Sequence, residues 1–226
     1  MTEPTNGVPT VAERKASVWK NASIILGTDI MQFLLYHHTD DNSNTLFRMM
    51  EAYQNRLWMP SQIKLELFNT RSRNTSPLDE SDPILNKVLT LYEGKVGEEF
   101  TTEQLAKIYQ TGERLYTKRY PKFKPPMVSE ANSSRNPHFV YGDLILFEEM
   151  IKFAKTNKTN VIFVTNSRKR NWWYVTDNAI TPRQITVQKF SWKTRGQALY
   201  LYQLDEFLHA ATTHLSHRRR RIPKKS

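Results

Sequence analysis

The stretch Asn160-Val161-Ile162-Phe163-Val164-Thr165 decides the fold. Its apolar run is short, rich in β-branched side chains and flanked by polar residues. That is the pattern of a strand buried on both faces, as in parallel sheets covered by helices. Just before it, Leu144, Phe147, Met150, Ile151 and Ala154 recur at helical spacing. A helix that runs into such a strand belongs to a parallel α/β unit.

The same reading extends outward. Ser23-Ile24-Ile25-Leu26 is a second buried strand. After it, Ile30, Phe33 and Leu34, then Leu46, Met49, Met50 and Tyr53, suggest helices on either side of the polar stretch 37–44. Arg56-Leu57-Trp58-Met59-Pro60 reads as a short strand stopped by proline, with Ser61 as the cap of a helix whose apolar face is Ile63, Leu65, Leu67 and Phe68. Residues 85–92 and 102–116 read as further helices, the second capped by Thr101 or Thr102. Residues 121–137, with Pro125-Pro126, form a long loop. Residues 185–190 read as a last strand and residues 197–211 as a closing helix. Strands alternating with helices predict an α/β fold with a central parallel sheet.

A chain of 226 residues, 38% hydrophobic and 12% aromatic, can bury a sizeable core. The absence of cysteine excludes disulfides, thiolate zinc sites and cysteine nucleophiles, and fits a reducing compartment. No run approaches the roughly 18 apolar residues of a membrane span. The polar start, Met1 to Gly7, has no apolar signal core, so a cytoplasmic protein is expected. The formal net charge is +11, and the six Lys and Arg residues of 217–226 supply over half of it, leaving +5 for the rest. Basic groups release counterions from phosphate backbones, so a polyanionic partner is expected; the plain alternative is a solvated tail.

Ligands of open α/β sheets collect beyond the carboxyl ends of the strands. Those ends here are Gly27-Thr28-Asp29, Met59-Pro60 and Thr165-Asn166, and Glu66 and Asp143 lie at or near predicted helix starts. Brought together, these groups would make an acidic pocket for Mg²⁺ or Mn²⁺, which prefer hard oxygen ligands. In a basic chain that combination is expected of a metal-dependent nuclease. Yet the first strand ends in Gly27, where such a pocket would call for a carboxylate.

Four segments in order resemble one family. Leu26-Gly27-Thr28-Asp29-Ile30 is similar to the Asp-Thr-Asn opening of PIN-like domains. Leu57-Trp58-Met59-Pro60, leading through Ser61-Gln62-Ile63-Lys64-Leu65 to Glu66, resembles their second element. Tyr141-Gly142-Asp143 resembles the start of a later helix, and Ile162-Phe163-Val164-Thr165-Asn166, with Lys169 and Trp172-Trp173, a strand that normally ends Val-Thr-Asp. The large bacterial PIN-like subfamily, with a helical insertion, fits best. The resemblance implies a Rossmann-like, three-layer α/β fold, Mg²⁺ or Mn²⁺, and hydrolysis of phosphodiester bonds, usually in RNA, in a defence or toxin setting. It carries Glu66 and Asp143 over as metal-binding carboxylates. The family's first Asp falls on Gly27, a possible lost ligand position, and its strand-end Asp on Asn166, while Asp29 stands in place of the family's Asn.

The expected organisation is a flexible segment 1–20, one PIN-like domain 21–216 with a helical insertion at about 79–120, and a basic tail 217–226. The expected site is Glu66, Asp143, Asp29 and Asn166, the first three as metal ligands. Thr28 and Ser167 can bind phosphate, orient carboxylates or cap helices, and Glu130 lies near a family acidic position. Arg114, Lys118, Arg119, Lys122 and Lys124 interleave with Tyr116, Tyr120 and Phe123, as side chains that hold single strands do. Arg168, Lys169 and Arg170 lie close to the expected pocket. For each set the alternative is a basic surface with its aromatics in the core. Trp172 and Trp173 read as core anchors. His209, His214 and His217 lack zinc-site spacing. The function expected is a divalent-metal nuclease. The alternatives are an impaired PIN-like domain that binds nucleic acid without cutting, and a protein-interaction subunit or homo-oligomer.

Overall fold

The structure is a computed structural model that describes residues 18–69, 82–119 and 137–220. Within them the chain runs β1 (Ser23–Leu26), α1 (Thr28–Tyr36), α2 (Asp41–Ala52), α3 (Ser61–Asn69), α4 (Pro83–Leu91) and α5 (Thr102–Arg119). It continues through the short α6 (Pro137–Val140), α7 (Gly142–Asn157), β2 (Val161–Val164), β3 (Trp173–Val175), β4 (Ile180–Pro182), α8 (Gln184–Thr194), β5 (Leu199–Tyr202) and α9 (Leu204–Arg220).

β2 is the central strand, parallel to β1 on one side and β5 on the other. All four of its side chains are buried, as its unbroken apolar run requires. Single parallel bridges extend the sheet beyond β1: Leu57 pairs with Ile24, and Met59 with Val96. The expected strand at 56–60 is thus two bridge positions before Pro60. Across the sheet the order is Val96, Leu57–Met59, β1, β2, β5. The chain leaves β1 toward one edge and β2 toward the other, so the topological switch point lies between them. The register ends the three strands level, with Leu26 beside Val164 and Val164 beside Tyr202. Gly27, Thr165 and Gln203 therefore start the loops at one edge.

Helices cover both faces, giving the three-layer α/β architecture expected of a PIN-like fold. α3 packs on α7 and α7 on α8, while α2 packs on α9. Phe163 reaches Trp172, which meets Phe147, which meets Phe190, tying β2 to α7 and α8. Trp172 and Trp173 are both buried, in the core role expected of them. On the other side Trp19 gathers Tyr53, Tyr202, Phe207 and His214. His214 is part of this cluster, and its Nδ1 lies 2.9 Å from the Tyr53 hydroxyl.

Three local readings change. Residues 185–190 are helical, within α8, not a strand: Phe190 and Thr194, one turn apart, are buried while Ile185 is exposed, so packing overrides the β-branched Ile185-Thr186-Val187. The last strand is β5, inside the segment expected to be the closing helix. Leu199 and Leu201 are buried and Tyr200 and Tyr202 half-buried, the alternation of a strand, and α9 starts at Leu204. Ser61 does not cap α3; it is the helix's first residue and donates its hydroxyl to the buried Glu149 carboxylate. Glu149 also accepts from Gln62 N at 3.1 Å, and so supplies the cap. Thr101 does cap α5, exchanging bonds with Gln104 in a capping box.

Candidate active site

Glu66 and Asp143 both lie at the start of α7. Glu66 projects from the second turn of α3, and its Oε1 stands so close to Gly142 that a Cβ there would lie 2.6 Å from it. Glycine is what allows this approach. Thr28, the first residue of α1, donates to Glu66 Oε2 at 2.6 Å, and Gln62, one helical turn earlier, donates to Oε1 at 2.9 Å. Gln62 Nε2 also reaches the His138 carbonyl at 3.2 Å. Behind it, Glu149 holds Ser61 and the Gln62 backbone, so a buried carboxylate braces the residue that braces Glu66. Burial raises the Glu149 carboxyl from its usual 4.5 to about 7, against the lowering pull of its Ser61 and Gln62 hydrogen bonds.

Asp143 follows Gly142 directly, in the first turn of α7, where the helix dipole favours an anion. Its Oδ1 accepts from Lys169 Nζ at 2.9 Å and its Oδ2 from Asn171 Nδ2 at 3.3 Å. Desolvation acts to lower the Lys169 pKa, but the Asp143 charge and hydrogen bond, with the Glu66 charge behind them, outweigh it and hold the ammonium above its ordinary value. Lys169 thus senses both carboxylates.

Asp29 faces the sheet edge instead. Its Oδ1 accepts from the Thr165 hydroxyl at 3.0 Å and its Oδ2 from Asn166 N at 2.7 Å. Asn166 in turn accepts from Leu204 N at 2.9 Å, capping α9. A row of side-chain bonds therefore crosses the carboxyl ends of β1, β2 and β5. Gly27 has an ordinary extended backbone, φ −64° and ψ 161°. A Cβ on it would meet Asp29 Oδ1 at 2.7 Å, Val164 O at 3.1 Å and Thr165 Cβ at 3.3 Å. Asp29 has taken the space of a side chain at position 27. Ser167 N donates to Thr165 Oγ1 and completes this turn.

Among the described residues no group of three or more His, Asp or Glu side chains comes together to hold a metal. Glu66 and Asp143 offer hard oxygen donors on two adjoining helix ends, and Asp29 is engaged elsewhere. Of the expected nucleic-acid contacts, Arg114, Lys118, Arg168 and Arg170 are exposed, and Lys169 is 60% exposed in its side chain. Arg114 donates to Thr111 on its own helix. The side chains of Arg119 and His217, and residues Lys122, Lys124 and Glu130, lie outside what is described, as do residues 1–17 and 221–226. Reading the sequence alone missed Gln62, Asn171 and Glu149. Gln62 sits four residues before Glu66 and Glu149 four after the buried Ile145, so helical periodicity held the signal for both.

The family described as PIN like domain matches residues 69–184, just over half of the chain. The match takes in Asp143, Asn166 and Lys169 and starts three residues after Glu66. No curated protein and no solved structure matches the chain. With its switch-point sheet edge, its paired carboxylates and this match, the chain belongs to the PIN-like domain family, a family of nuclease domains.

Proposed function

We propose that the chain hydrolyses phosphodiester bonds in RNA with a divalent ion, Mg²⁺ or Mn²⁺, at Glu66 and Asp143. One observation carries this reading: at the switch point of the sheet, Glu66 from α3 stands against Gly142 at the start of α7, one residue from Asp143, which is paired with Lys169. The donor chemistry fits such an ion. Mg²⁺ commonly takes only one or two carboxylates and completes its octahedron with water and substrate phosphate. The pair would hold an ion that arrives with the substrate rather than one in a preformed three-carboxylate centre. When bound, the ion would polarise the phosphate and lower the pKa of an attacking water.

The chain's own groups have distinct tasks in this reading. Lys169 Nζ leaves Asp143 to donate to a non-bridging phosphate oxygen. Asn171 keeps Asp143 oriented, and Thr28 and Gln62 fix the Glu66 carboxylate, whose Oε2 can take a proton from water. Asp29 and Asn166 are positioning residues, holding the ends of β1, β2 and β5 level. Arg114, Lys118, Arg168 and Arg170, with the basic run 218–225, contact the RNA backbone. A cytoplasmic setting and a defence or toxin role belong to the same reading. The test is cleavage of labelled RNA in Mn²⁺. Glu66→Ala and a chelator should each abolish it; cleavage that survives both overturns the assignment.

A second reading has its own observation. Lys169 already compensates Asp143, and Asp29 is tied to the sheet edge, as in a domain that grips RNA without cutting it. It predicts salt-sensitive RNA binding with no turnover in Mn²⁺.

A further inference from the structure

Beside the carboxylates lies a cavity of about 520 Å³, walled by α5, α7, α8 and the segment between β2 and β3. Asp143 and Lys169 are part of its lining, so it opens directly onto the site. Leu115 on α5 and Ile185 on α8 also line it and are 45% and 63% exposed. Exposed large apolar residues on separate elements of one concavity mark a place where something apolar sits. The interior is aromatic: Phe147 and Trp172 are buried against each other, ring centroids 6.1 Å apart at 60°, and Tyr116 lines the same cavity.

The charge is one-sided. Lys169, Arg170, Arg183 and Lys189 face the cavity, and Asp143 is the sole carboxylate among the described lining residues. Arg183 donates to the Arg170 carbonyl, and Thr186 donates to the Asn171 carbonyl at 2.7 Å, fixing α8 to the loop after β2. An apolar, aromatic interior ringed by cations suits a flat heterocycle that carries phosphates on either side.

We propose that this cavity receives one nucleobase of the RNA strand, next to the phosphate held at Asp143 and Lys169. The inference rests on the nuclease reading and adds to it how the bond is placed. The seated base fixes which phosphate reaches Glu66 and Asp143, and cleavage acquires a preference at one neighbouring nucleotide. Stacking on Tyr116 and packing between Leu115 and Ile185 hold the base, and Arg170 and Lys189 meet the flanking phosphates.

The experiment measures binding of the full chain to fluorescently labelled oligoribonucleotides and to an abasic oligomer of the same length, without added metal. The base-containing strands should bind about tenfold or more tightly than the abasic one. The neutral double variant Leu115→Ser/Ile185→Ser should remove most of that difference and leave abasic binding unchanged. Both positions are exposed, and an unchanged unfolding midpoint verifies the fold. Equal affinity for the two kinds of oligomer, or a difference that persists in the double variant, overturns the base pocket while leaving the nuclease reading intact. Binding of neither oligomer also overturns the base pocket, and cleavage of labelled RNA in Mn²⁺ then decides the nuclease reading separately.

Discussion

The Asp29 carboxylate fills the space that a side chain on Gly27 would enter: a Cβ at position 27 would lie 2.7 Å from Asp29 Oδ1. The two residues are alternative ways to put atoms at the junction of β1 and β2. Asp29 spends both oxygens there, on the Thr165 hydroxyl and the Asn166 backbone. Gly27 is thus coupled to its neighbour through space, not only a position lacking an acid.

Gly27→Asp should therefore destabilise the protein rather than simply complete an acidic site. The backbone is unstrained, so the cost is spatial, about 1–3 kcal/mol for overpacking a tight position. Val164 O, at 3.1 Å from a Cβ, is backbone and yields little. In Gly27→Asp/Asp29→Ala the main obstruction is gone. The double variant should be less destabilised than the sum of the singles, by about 0.5–3 kcal/mol of coupling. Urea unfolding of the four proteins reads this directly; additive losses would count against the shared space.

Asn166→Ala should cost about 1 kcal/mol, the usual price of a lost N-cap. It strips the acceptor from Leu204 N at the start of α9, the helix that carries Phe207, Leu208 and Ala211 into the core. Asn166→Asp keeps an acceptor at the positive end of the helix and should lose less, despite the neighbouring Asp29. Thermal unfolding should rank wild type and Asn166→Asp above Asn166→Ala; equal losses for both variants would dismiss the cap.

The parts of this molecule written in local pattern were legible in advance. β1, β2 and α7 are periodic enough to identify from sequence, and their order places Gly27, Asp143 and Asn166 near the switch point. β5 was not legible, because Leu201, Leu204 and Leu208 fall at helical spacing across a strand–helix boundary. Nor was the use made of Asp29 and Asn166. Their partners lie 137 and 38 positions away, and only the register of three strands brings them together. Glu149 is a different case: its spacing from Ile145 put it on the buried face of α7, but beside Glu148 it looks like an ordinary solvated carboxylate.

Lys169→Ala should alter folding free energy by less than about 1 kcal/mol, because the lysine side chain is 60% exposed and its pair with Asp143 is screened. Its effect on ions should be larger. With the ammonium gone, Asp143 loses its ion pair, and the Kd for Mn²⁺ should fall severalfold by calorimetry. An unchanged Kd would show that the lysine does not compete with metal. RNA affinity should weaken in the same variant, since Lys169 also faces the phosphate.

Glu149 gives the stability of the protein a pH dependence whose sign is set by burial. Its carboxyl is raised from the usual 4.5 to about 7 in the folded protein. Between those values the folded chain keeps a proton that the unfolded chain has released, so stability falls as pH rises through the window and levels off above it. The full effect is on the order of 3 kcal/mol. His138 works the other way: burial lowers its pKa, so its contribution increases with pH up to its ordinary value near 6.5. Glu149→Gln isolates the glutamate. Its carbonyl can accept from Gln62 N and its amide can donate to Ser61, so it imitates the protonated form while keeping the brace behind Glu66. Urea unfolding at pH 5 and pH 8 should show wild type losing stability relative to the variant, with the variant the more stable at pH 8. Parallel behaviour of the two proteins would mean that Glu149 is already ionised throughout the range.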